Sequence, residues 1–141
     1  MSSNWVKDIE DMQDKYGVRK WAEDPANKDK LSEFLAFRMD FLKEEFDETV
    51  TAWKEKDPEE LIDGHIDLCV IAIGTLLAFG VDAQEAWDRV HKANMAKEVG
   101  IKPGRPNPLG LPDLIKPKGW KGPEHNDNIG LLPNAIQKHI R

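Results

Sequence analysis

Nine residues, "FLKEEFDET" (41–49), hold four acids among apolar side chains: Glu44, Glu45, Asp47 and Glu48. An apolar stripe, Phe34, Phe37 and Phe41, continued at helical spacing, arrives at Glu44 or Glu45, then Glu48, then Ala52. At least some of these acids therefore interrupt a face that was turning inward. Carboxylates drawn together and partly out of water repel one another and take up protons unless a cation compensates them. A second segment, "EELIDGHIDLCVIAIG" (59–74), repeats the device: Asp63 and Asp67 share a helical face that continues through Val70 or Ile71 to Gly74. Two facing helices that each offer carboxylates a turn apart can hold hard divalent ions through oxygen ligands. The competing explanation is a solvated charged face, with Lys43 and Lys54 nearby. Paired Glu-x-x-His sequences, which would point to a di-iron centre, are missing; the nearest is a single Asp88-x-x-His91. The all-oxygen set favours magnesium or manganese.

Positioning such acids requires long helices, and the periodicity supplies them. Trp5, Ile9, Met12 and Tyr16 recur at intervals of three and four, predicting a first helix over 4–16 closed by Gly17. Residues 18–30 read as a loop broken by Pro25. A second helix, about 28–56, carries Leu31, Leu35, Met39, Leu42, Phe46, Val50 and Trp53 on one stripe. Asp57-Pro58 has the form of an N-cap followed by a first-turn proline and opens a third helix to about 79, which Gly80 closes. Asp82 with Glu85 resembles a capping box for a fourth helix to about 98. No run reads as a strand. From Gly100 to Asn128 proline and glycine are dense, which predicts a strap over the bundle, and a short helix near 131–139 follows. The expected architecture is an all-α four-helix bundle (1–99) with a Pro/Gly-rich strap and short C-terminal helix (100–141) in the same domain.

Of the 141 residues, 40% are apolar and 33% charged, and 26 acids against 20 lysines and arginines leave a net charge of −6. That balance argues against a duplex nucleic-acid binder, which needs a basic footprint, although bound cations can reverse the sign locally. One cysteine, Cys69, excludes an internal disulfide and fits a reducing, cytoplasmic setting. It lies in an apolar run and reads as a buried small hydrophobe. The N-terminus lacks a signal-type apolar core, and the longest apolar run, 68–80, is too short to span a bilayer.

Four segments together resemble the MazG-like all-α nucleoside triphosphate pyrophosphohydrolases, relatives of the dimeric dUTPases and of phosphoribosyl-ATP pyrophosphohydrolase. Glu44, Glu45 and Glu48 match the family's E-E-x-x-E, and "DGHIDLCVIAIGTLLAFGVD" is similar to its next helix, with Asp67 at the metal aspartate. "VHKANMAK" resembles the V-H-[RK]-[AS]-N-[ML]-[AS]-K stretch at Asn94 and Lys97, and "KPKGW" (116–120) the K-P-x-G-W of one branch. The resemblance covers about residues 31–120. It departs at one place: many relatives have glutamate three residues before the metal aspartate, where this chain has Gly64. Either Asp63 substitutes, or Glu60 and Asp63 form a pair shifted by a turn.

The resemblance implies cleavage of a nucleoside triphosphate between its α and β phosphates. Glu44, Glu45, Glu48, Asp63 and Asp67 are then the expected ligands of magnesium or manganese, with two or three ions per site, and Glu45 or Glu48 the proton acceptor. Asn94 and Lys97 are expected at phosphate oxygens, with Lys92 and Arg89 as helpers. Trp120, and less so Trp21, are candidates to flank a base, against the alternative of plain packing. His65 and His125 receive no role. The expected partners are a nucleotide (a deoxynucleotide first) and further copies of the chain in a dimer or tetramer, with neither nucleic-acid polymer nor membrane. The contending class is a non-catalytic, metal-stapled bundle acting through protein contacts. Within the enzyme class, a diphosphate or a phosphoribosyl nucleotide is the other substrate.

Overall fold

The computed structural model describes residues 4–136. The first helix, α1, is Trp5–Tyr16, capped by the Asn4 side chain, which accepts from the Lys7 N–H, and closed by Gly17 at φ 71°. Its buried face is not the expected stripe: Trp5, Met12 and Tyr16 are exposed, while Ile9 and Gln13 are buried. The face is set by what α1 meets, since Ile9 packs with Leu77 and Ala83 and Gln13 reaches a backbone carbonyl. The expected loop after Gly17 is instead a short helix, α2 (Val18–Glu23), and a 3₁₀ turn over Pro25–Lys30. Pro25 starts that turn rather than breaking a helix: it follows the Asp24 cap, where no backbone N–H is needed.

The long helix α3 runs Leu31–Lys54 and α4 runs Pro58–Ala78, opened by the anticipated Asp57 cap and Pro58. These two pack most extensively against each other, and α1 packs on α4. On α3 the buried residues are Leu31, Ala36, Thr49 and Ala52; Met39, Phe46 and Trp53 of the expected stripe are exposed. Glycines on α4 let neighbouring side chains approach closely. Gly64 on α4 lies against the Thr49 side chain, and Gly74 against Gln13 and Arg38. Phe79 is fully buried with Ala22, Leu31 and Ala135, where α6 (Leu132–Ile136) covers the end of α3. The remainder of the expected terminal helix, 137–139, lies outside the described residues.

By length and mean hydropathy alone α4 could cross a membrane (21 residues, mean hydropathy 1.8). Its Gly64, Ile71, Gly74, Leu77 and Ala78 are buried against the rest of the first unit, and the other residues of the helix are partly or fully open. Cys69 is exposed on the same helix, contrary to the expectation of burial.

The chain forms two compact units, one running through Ala83 and resuming at Asn128, the other Gln84–Asp127. The second unit holds most of α5 (Ala83–Met95), which stops three residues short of the expected end. There β1 (Glu98–Gly100) pairs antiparallel with β2 (Asp113–Ile115). Three-residue strands are too short to show an alternating pattern, so neither was visible in the periodicity. The regular structure of the described residues is otherwise helical, an all-α fold with one two-stranded ribbon and irregular chain over 101–112 and 116–131.

Candidate active site

Within the first unit, α3 and α4 bring the expected acids onto neighbouring faces. Glu45 is half-buried, while Glu44 and Glu48 are exposed on either side of it. Its pKa is pushed up, first by loss of water and then by the charges of Glu48, Asp67, Glu44 and Asp63. Asp67 is likewise half-buried and its pKa raised, by desolvation first and then by the neighbouring Asp63. Five carboxylates named from the sequence thus act on one another across the α3–α4 seam. Asp47, the fourth acid of the opening nonapeptide, is turned to solvent and paired with Lys43 at 2.7 Å.

The seam also accounts for Gly64. It is buried against Thr49, whose hydroxyl donates to the Glu45 carbonyl at 2.7 Å, so a longer side chain has no room there. Asp63, one position around the helix, is exposed beside Asp67; Glu60 sits in the first turn, its N–H bonded to Asp57. Among the described residues no three His, Cys, Asp or Glu side chains lie close enough to form a finished metal cage. The donor set nevertheless fits a hard divalent cation: the atoms are all carboxylate oxygens, and two of the groups, Glu45 and Asp67, are partly withdrawn from water and face other carboxylates, which pushes their pKa values up.

Arg38 was missed in the sequence. Its guanidinium, seven residues before Glu45 on the same face of α3, donates to the Thr75 hydroxyl and the Ile71 carbonyl, both at 3.0 Å. Burial alone lowers its pKa, and it also lies over the Phe41 ring at 5.9 Å. It pins α3 to α4 about 10 Å along the axis from Glu45. Gln13 completes this polar junction by donating to the Gly74 carbonyl at 2.7 Å. Trp21 is held edge-on to Phe34 at 5.2 Å, a packing contact that leaves about a third of the residue open.

The second unit contains Asn94, Lys97, Lys92 and Trp120. Asn94 and Lys92 are exposed, and Lys97 is half-buried. Trp120 is fixed by its indole N–H, which donates to the Ala93 carbonyl at 2.7 Å, and Lys97 lies over its ring at 5.3 Å. Lys92 instead lines a surface hollow of about 500 Å³ with Arg89, Lys121, Glu124 and Asp127. Arg89 is already engaged there by Glu85 and Asp127, which raise its pKa. His65 is exposed, its Nδ1 beside the Leu61 carbonyl.

Residues 19–94, a little over half of the chain, match the model of the phosphoribosyl-ATP pyrophosphohydrolase family, a MazG-like all-helical group. The chain belongs to that family and is a nucleotide pyrophosphohydrolase, a hydrolase of acid anhydrides. The match takes in the acids of α3 and α4 and reaches Asn94; Lys97 and Trp120 lie beyond it. Comparisons with curated proteins and with solved structures found no significant match.

Proposed function

We propose that the protein hydrolyses a nucleoside triphosphate, in the first place a deoxynucleotide, between the α and β phosphates, giving the monophosphate and pyrophosphate. The carrying observation is Glu45, half-buried and pressed by four other carboxylates at the α3–α4 seam inside the family-matched segment. Glu44, Glu45, Glu48 and Asp67, with Asp63 beside them, would hold magnesium or manganese ions, two or three per site. When bound, such ions lower the pKa of water and neutralise phosphate charge. Glu45 or Glu48 accepts the proton of the attacking water, and the upward shift at Glu45 makes it a stronger proton acceptor than an ordinary glutamate. Asn94 and Lys97 take phosphate oxygens. Trp21 and Trp120 keep part of their rings available to a base, and Lys92 is an outer helper.

The name of the matched family supports a second substrate, phosphoribosyl-ATP, whose triphosphate offers the same α–β anhydride. Rates measured in parallel on phosphoribosyl-ATP and on each deoxy- and ribonucleoside triphosphate separate the two. Pyrophosphate release from none of them would leave the metal-stapled binding module. A homodimer, or a tetramer of two dimers, in the cytoplasm belongs to the same proposal. Exposed Phe37, Trp53, Ile62 and Ile66 on α3 and α4 support self-association, and the single cysteine supports a reducing compartment.

A further inference from the structure

Lys116 has no role in the account so far, yet the second unit places it with care. The β1–β2 ladder pairs Glu98 with Ile115, Val99 with Leu114 and Gly100 with Asp113. Carried one residue past its open end, the register sets Lys97 directly opposite Lys116. Like charges in opposed positions of an antiparallel pair repel. Both ammonium groups also converge on one aromatic ring: Lys97 Nζ lies 5.3 Å and Lys116 Nζ 5.0 Å from the centroid of Trp120. The ring is brought there by a tight turn, in which the Trp120 N–H bonds the Pro117 carbonyl at 3.0 Å and Gly119 takes φ 80°. Its indole N–H is then locked to α5. Among the described residues neither lysine is paired with a carboxylate, although the chain as a whole is acidic. The unit they occupy runs against that balance, with eight lysines and arginines to six acids. A π face offsets part of the repulsion but carries no net charge. Two ammonium groups beside one ring, with no carboxylate partner, are suited to a multiply charged anion.

We infer that Lys97, Lys116 and the Trp120 edge form a binding site for a pyrophosphoryl group, with Lys116 a substrate- or product-binding residue. The site deepens the proposed nucleotide hydrolysis, from which the pyrophosphoryl ligand is taken, but its anion affinity requires neither metal nor turnover. Trp120 then serves as the platform that spaces two cations.

The test uses the full-length protein in EDTA at low ionic strength, titrated with inorganic pyrophosphate and followed by calorimetry. Lys97→Gln and Lys116→Gln should each weaken binding by roughly tenfold, as expected for loss of one charge-assisted contact. Lys118→Gln, in the same turn but away from the ring, should change it less than about twofold. Thermal melts confirm that all three variants fold. Wild-type protein that takes up no pyrophosphate, a Lys116→Gln variant that binds like wild type, or a Lys118→Gln variant that loses as much would each overturn the site. Glu45→Gln separates this from the catalytic proposal: it should lose turnover and keep metal-free pyrophosphate binding. Lys116-dependent binding in a wild-type protein that cleaves no nucleotide would sustain the site and end the proposed reaction.

Discussion

At the level of single residues, Glu45 and Glu48 are expected to behave differently although they are three positions apart. Glu48 is exposed, so Glu48→Gln should leave the melting temperature within a degree or two while lowering turnover by at least about 100-fold, as loss of a ligand or general base does. Melting and rate on the same preparation check both halves. Glu45 carries a pH dependence as well. Its folded-state pKa lies above the ordinary 4.5, and that of Asp67 above the ordinary 3.8, so between those values and the raised ones the folded chain binds more protons than the unfolded chain. Their contribution therefore lowers stability as pH rises through that window. Metal-free Glu45→Gln should accordingly be more stable than wild type at pH 7 and no more stable at pH 4. Added manganese should stabilise wild type more at pH 7 than at pH 5. Melting curves at these pH values, with and without the ion, decide it.

At the level of elements, helix spacing is the controlled quantity. Gly74 allows Gln13 and Arg38 to meet the backbone of α4; a Cβ there would stand 2.7 Å from the Gln13 Nε2 and 3.0 Å from Arg38 Nη2. Gly74→Ala should cost about 1–3 kcal/mol in urea unfolding, the range for overpacking a fitted interior. Much of this layer was legible from the sequence. The Asp57-Pro58 start of α4, the Gly17 stop of α1 and the face shared by Asp63 and Asp67 follow from caps and helical periodicity. What was illegible depends on tertiary choice. The buried side of α1 carries Ile9 and Gln13, which reaches the Gly74 carbonyl, and Met12 is left exposed. Arg38 carries no signal in the sequence, since no local pattern tells which backbone carbonyls a guanidinium will reach. Lys116 was hidden for a related reason: its partner lies nineteen positions away and is set by a ribbon register of three residues.

For the whole molecule, the described surface leaves large apolar groups uncovered on the long helices, including Phe37, Phe46 and Trp53 of α3 and Ile62 and Ile66 of α4. Exposed apolar area on this scale commonly marks an association surface. Light scattering should give a mass at a multiple of the 16.0 kDa chain, and Ile62→Lys should lower it. A monomeric wild type would remove self-association from the account. Charge is divided as well: the acids stand on α3 and α4, while the second unit is net basic.

The most direct test is pyrophosphate release from separate nucleoside triphosphates and from phosphoribosyl-ATP, with magnesium, with manganese and with EDTA. Wild type should release pyrophosphate and monophosphate in equal amounts from at least one of them, only with a divalent ion, and Glu45→Gln should release next to none. Release that persists undiminished in EDTA, or in Glu45→Gln, would contradict the assignment of the α3–α4 carboxylates as the reacting centre.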